Sequence, residues 1–199
     1  MGRRQDALFA RLQASLPALE PLELLPADAA DAHFCTPCGA RLLARIGVDG
    51  VHFCDVPAYG DTVFAVSPMG ETPYVCAVAD DLTDLLREVL SCGSVSAVEQ
   101  LAWMDAARAH DFLRFDRILR CGGTPEELDA ACRWFGMDTE MAAPDVTFQA
   151  AHRHALDTLR TAFDLTPIED VYAHIQSVRG KHDLGALRFS EGYEELTGK

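Results

Sequence analysis

The sequence predicts an α+β protein, with its strands gathered in one stretch and its helices kept apart from them. Two observations carry this prediction. Three runs of strand length, VHFCDV (51–56), TVFAVS (62–67) and YVCAV (74–78), are β-branched or aromatic and are separated by the turn sequences PAYGD and PMGETP. Elsewhere, apolar residues recur at spacings of three and four, as on one face of a helix. Connections this short suit antiparallel neighbours, because a parallel crossover needs a dozen residues or more, so the three runs are expected to form a small meander.

In chain order, Leu8, Leu12 and Leu16 mark a first helix over 4–16, which Pro17 is expected to stop. A second helix is expected from the helix-start pair Thr36-Pro37 through CGARLLARI to Gly47. After the strands, Asp80 or Asp81 caps a helix with the stripe Leu82, Leu85, Leu86, Val89 and Leu90, ended by Gly93. Ser94 opens a further helical run to about residue 119, in which Val98, Leu101, Trp103 and Met104 are expected in the core. Thr124-Pro125-Glu126-Glu127 is a capping box, and Thr166-Pro167-Ile168-Glu169 repeats its signature. Between them Phe148, His152, Ala155, Leu159 and Phe163 share a face, and the stretch from Gly180 reads as polar and irregular. The expected organisation is an α+β domain over 1–122 and a helical C-terminal extension over 123–199 packed on it.

Composition narrows the function. Hydrophobic residues make up 49% of the 199, enough for a core, and the formal charge is −14. No Lys or Arg falls between Arg45 and Arg87, while Asp49, Asp55, Asp61, Glu71, Asp80, Asp81 and Asp84 all do. Such a surface repels a nucleic-acid backbone and steers a basic protein toward it. No apolar run approaches the roughly 20 residues of a membrane span, and the start of the chain reads as an amphipathic helix, not a signal peptide. Seven scattered cysteines without an export signal are expected as reduced thiols in the cytoplasm.

Few residues form a reactive pattern. Cys35-x2-Cys38 ahead of a helix could hold one thiol at depressed pKa and support disulfide exchange. Cys35, Cys38, His52 and Cys54, with His33, are the ingredients of an incomplete zinc site; a core cysteine beside a hydrogen-bonded histidine is the favoured explanation of His52 and Cys54. His152 and His154 are two apart and diverge around a helix. No nucleophile elbow, phosphate loop, dinucleotide fingerprint or zinc-protease motif occurs, so a non-catalytic protein without a cofactor is expected. A thiol-disulfide or zinc protein built on Cys35 and Cys38 is the alternative.

The stretch GVDGVHFCDVP, GDTVFAVSP and YVCAVADDLTDLLREVL resembles the heart of the SUKH superfamily, which groups Knr-type regulators with bacterial immunity proteins. In that likeness Gly47 and Gly50 form the turn into the meander, and Ala79-Asp80-Asp81-Leu82 with Leu85-Leu86 the helix that closes over it. The likeness covers about the first 120 residues. Cys38-x3-Leu42-Leu43 replaces the family's aromatic second-helix pattern, and the residues after Gly122 lie outside it. The resemblance implies a binding fold whose bacterial members sequester a toxin, often a nuclease. On that basis Asp55, Asp61, Glu71, Asp80, Asp81 and Asp84 are the expected surface for a basic protein partner.

Overall fold

The computed structural model describes residues 3–70, 73–138 and 146–190. Among them four strands form one antiparallel sheet in chain order, β1 (Arg41–Arg45), β2 (His52–Asp55), β3 (Val63–Val66) and β4 (Val75–Ala79). The meander read from the sequence is present, with one strand added at its edge. That strand lies where a helix was expected over 36–47. Thr36-Pro37 starts no helix, because its side chain closes a turn: the His33 N–H donates to Thr36 Oγ1 at 2.7 Å and the Thr36 N–H to the His33 carbonyl at 2.9 Å. A second turn follows, with the Ala40 N–H donating to the Pro37 carbonyl at 3.1 Å. The few residues left before Gly47 are too short a run for a stable helix, whereas a strand there gains the ladder with β2. A two-way bridge with Leu25 then caps the outer edge of β1 at Arg45.

Both faces of the sheet are buried. Phe53, Val63, Ala65, Cys76 and Val78 point into a main core, and Cys54, Phe64, Val66, Val75 and Ala77 into a second, smaller one. Two bulges break the alternation, leaving Leu43 and Val78 as extra residues, so that the adjacent pairs Leu43–Ala44 and Val78–Ala79 both reach the main core.

The main core is closed by seven helices among the described residues. Helix α1 (Arg3–Leu19) runs through Pro17 instead of stopping there: Pro17 is exposed, while Leu16 and Leu19 on either side are fully buried, and their packing offsets one lost backbone bond. Helix α2 (Leu82–Cys92) is capped by Asp81, which accepts from the Asp84 N–H at 2.9 Å, and ends at Gly93 with φ +93°. The run opened by Ser94 divides at Met104, whose extended backbone separates α3 (Val95–Trp103) from α4 (Ala106–Cys121), the latter capped by Asp105. Val98 and Leu101 are fully buried, with Trp103 and Met104 packed against them.

Helix α5 (Pro125–Phe135) carries the expected capping box, and α6 (Val146–Phe163) buries His152, Ala155, Leu159 and Phe163 but leaves Phe148 exposed. Helix α7 (Val171–Lys181) starts four residues beyond the expected signature. Asp170, not Thr166, caps it, accepting from the Ala173 N–H at 2.9 Å. Residues from both sides of Gly122 share the main core, Leu159, Phe163, Val171 and Ile175 with Leu12, Phe53 and Leu86. Past Lys181 the chain packs across the second core through Leu184, Leu187 and Phe189. No helix among the described residues is long and apolar enough to cross a membrane.

Candidate functional site

The structure divides the expected acidic surface. Asp55 does not face a partner: it lies at the inner end of β2, and Arg41, its register partner on β1, donates to Asp55 Oδ2 from Nε at 3.1 Å and from Nη2 at 2.5 Å. Burial pushes the Asp55 carboxyl up, against the downward pull of Arg41. Asp84 is also buried, accepting from Arg87 Nη1 at 3.3 Å and from the Asp80 N–H at 3.1 Å, with His174 Nε2 at 2.6 Å. Asp80 is exposed but paired with Lys181 at 2.5 Å. Glu71 lies outside the described residues.

Asp61 and Asp81 remain on the surface side, and the fold brings them together. They line an open groove of about 800 Å³ between α1, the turn before β3, the start of α2 and the end of α6. Half-buried Leu8 lines it from α1, the buried Leu86 and Phe163 form its floor, and the Arg11 guanidinium sits 4.6 Å above the Phe163 ring. The arrangement offers two carboxylates and the side chain of Leu8 against a single lining cation, Arg11, which suits a cationic side chain with its aliphatic stem.

The cysteine pattern loses its chemistry in three dimensions. No helix follows Cys38, so no macrodipole favours a thiolate at Cys35 or Cys38. Cys35 is wholly buried and its thiol is pushed up to about 11 by burial; Cys54 is buried and pushed further in the same direction. His52 is wholly buried with both ring nitrogens engaged, Nδ1 with the Gly50 carbonyl at 2.9 Å and Nε2 with Thr36 Oγ1 at 3.0 Å, and burial lowers its pKa. Cys38 is the one exposed thiol among the described residues, with Cys121 partly exposed. In native protein a thiol reagent such as DTNB is expected to titrate one cysteine rapidly and a second slowly, with the fast phase lost in Cys38→Ser; three or more fast thiols would contradict this burial pattern.

Two constellations escape sequence reasoning. Cys121 Sγ lies 3.9 Å from His152 Nδ1, while His152 Nε2 donates to the Gly93 carbonyl at 2.7 Å. This has the outline of a nucleophilic pair. It lacks activation, because Cys121 ends α4, where the helix dipole opposes a thiolate, and burial raises its pKa. The second is Asp84, Glu88 and His174, which is the one set of three potential metal ligands found within 4.8 Å of one another among the described residues. Cys35, Cys38, His52 and Cys54 form no such set.

Glu88 is fully buried and neither carboxylate oxygen has a hydrogen-bond partner; His174 Nε2 stands 3.6 Å from Oε1. Burial holds this carboxyl well above the usual range, and Asp84 and Asp80 add to the effect. Leaving such a group unsatisfied costs about 1–3 kcal/mol. Asp84-x3-Glu88 is legible as a same-face pair, but His174 comes from an element 90 residues away, and only the fold reveals it.

Comparison with protein-family models, with characterised proteins and with solved structures gives no match to this chain.

Proposed function

We propose that the protein acts without catalysis, by docking a basic protein partner in the groove between α1, α2 and α6. The observation that carries this reading is the convergence of Asp61 and Asp81 on a groove lined by half-buried Leu8 and floored by Leu86 and Phe163. The formal charge of −14 supports it, since an acidic molecule attracts a cationic partner over a distance and repels nucleic acid. The resemblance to the SUKH superfamily gives the partner a class. It is a basic toxin, such as a nuclease, which the protein sequesters in the cytoplasm as an immunity protein does.

The test is co-expression with a basic toxin domain encoded beside the gene, followed by calorimetric titration of the two purified proteins at two salt concentrations. Binding is expected to weaken with salt, and Asp61→Lys to weaken it at least about tenfold without lowering the melting temperature. Asp61 is exposed, so its reversal is expected to separate docking from stability. Affinity unchanged in Asp61→Lys, or a toxin left fully active by the wild-type protein, would overturn the reading.

A further inference from the structure

We propose that Asp84, Glu88 and His174 bind one divalent first-row transition-metal ion, of the Zn²⁺ or Mn²⁺ kind, which clamps α7 to α2. Asp84 and Glu88 are one turn apart on α2, so both carboxylates project from the same helix face. His174, in the first turn of α7, brings its Nε2 to both. One donor atom from each residue lies within 4.8 Å of the others.

Glu88 turns this juxtaposition into a site. Its side chain is fully buried, both oxygens lack a hydrogen-bond partner, and its carboxylate faces the same imidazole nitrogen that Asp84 meets. A cation between the three groups satisfies Glu88 directly. Two carboxylates and a neutral imidazole carry the charge a divalent ion needs, and Asp84 keeps its other oxygen on Arg87.

The distances are close to those required. Bonds of about 2.1 Å set donor atoms about 3.4 Å apart around a tetrahedral ion. His174 and Glu88 stand at 3.6 Å, and His174 and Asp84 at 2.6 Å, so the ion replaces the Asp84–His174 hydrogen bond and parts those groups by less than about 1 Å. One nitrogen and two oxygens suit borderline ions better than Ca²⁺, which takes oxygens, or Cu⁺, which takes sulfur. The partly exposed His174 side, at 27%, is the way in, and three protein ligands leave room for water on the ion.

The experiment uses the full chain, stripped with EDTA, dialysed, and titrated calorimetrically with Zn²⁺ and separately with Mn²⁺ in 0.3 M NaCl. The melting temperature is followed in parallel. One ion per chain and a raised melting temperature are expected, with Glu88→Gln and His174→Ala each weakening binding at least about 100-fold and abolishing the melting shift. Glu88→Gln preserves volume, and His174→Ala removes a partly exposed ring, so a folded variant is available even if the other is lost. Cys38→Ser and Asp61→Lys are expected to bind the ion as wild type does. No binding of either ion, binding that survives both ligand substitutions, or Zn²⁺ binding that disappears in Cys38→Ser would each overturn the site. Asp61 serves docking and not the ion, so failure here leaves the proposed function standing and the converse holds.

Discussion

Arg120→Met is expected to destabilise the fold by about 3–5 kcal/mol, the range for removing one partner from a buried ion pair. Arg120 joins three elements: its Nε meets Asp116 Oδ2 at 2.8 Å on α4, its Nη1 meets Glu23 Oε1 at 3.2 Å after α1, and its Nη2 donates to Ser96 Oγ at 3.3 Å on α3. Its side chain is 15% exposed and that of Asp116 11%, so water compensates little of what is lost. Burial on its own would lower the Arg120 pKa, but Asp116 and Glu23 more than reverse it. Methionine keeps most of the stem packing and removes the charge together with the guanidinium hydrogen bonds. Asp116 is then left buried without its cation.

The pH dependence follows from the sign of the shift. Burial already raises the Asp116 carboxyl above its unfolded value despite Arg120, and removing Arg120 raises it further. A raised carboxyl contributes stability that is complete below its unfolded pKa and lost as pH rises through the folded value. Arg120→Met is therefore expected to lose more stability at pH 8 than at pH 5, and Arg120→Met/Asp116→Leu to recover a large part of the loss. Urea unfolding at both pH values reads this directly. A loss under about 1 kcal/mol at pH 8 would show that the pair adds no more than a surface contact.

The parts of the fold legible in the sequence are those with local signals. Helix α2 has its cap at Asp81, its stripe and its Gly93 stop in one continuous stretch, and the meander has alternating strands with turns between them. Strand β1 was hidden because RLLAR is compatible with either state and only the neighbouring ladder decides. The fate of Asp55 depends on that strand. Once Arg41 sits on a strand its register partner is Asp55, and a presumed surface acid becomes half of a buried pair. Asp84 and Glu88 project from the side of α2 that meets His174 on α7, a contact 90 residues away. Asp61 and Asp81 were legible as acids in a cation-free stretch, whereas the apolar lining beside them comes from α1 and α6.

Replacing Leu184, Leu187 and Phe189 together by serine is expected to cost about 3 kcal/mol, roughly 1 kcal/mol for each partly buried apolar side chain. The sequence reads the stretch after Gly180 as polar and irregular. Over residues 182–190 it holds one short turn of 3-10 helix, Leu184–Ala186, and three apolar residues in it cover the second face of the sheet. An antiparallel sheet commonly keeps one face wet, with polar residues on it. Here that face carries Cys54, Phe64, Val66, Val75 and Ala77, all buried, and needs a cover. Backbone and side-chain bonds hold the cover in place: Tyr59 Oη donates to the Asp183 carbonyl at 2.8 Å and the Cys38 N–H to the Arg188 carbonyl at 2.7 Å.

Loosening the cover is expected to show in the thiols before the helices. Cys35 and Cys54 lie in this second core, so DTNB should reach them in the triple variant while far-ultraviolet circular dichroism stays near native. An unchanged urea midpoint with unchanged thiol kinetics would mean that the segment rests on the sheet without stabilising it. The position of this cover also bears on docking. The second face of the sheet is occupied by the chain's own residues 184–189, and Asp55 and Asp84 are buried. The groove beside Asp61 and Asp81 is where surface acid still meets a half-buried apolar side chain, Leu8.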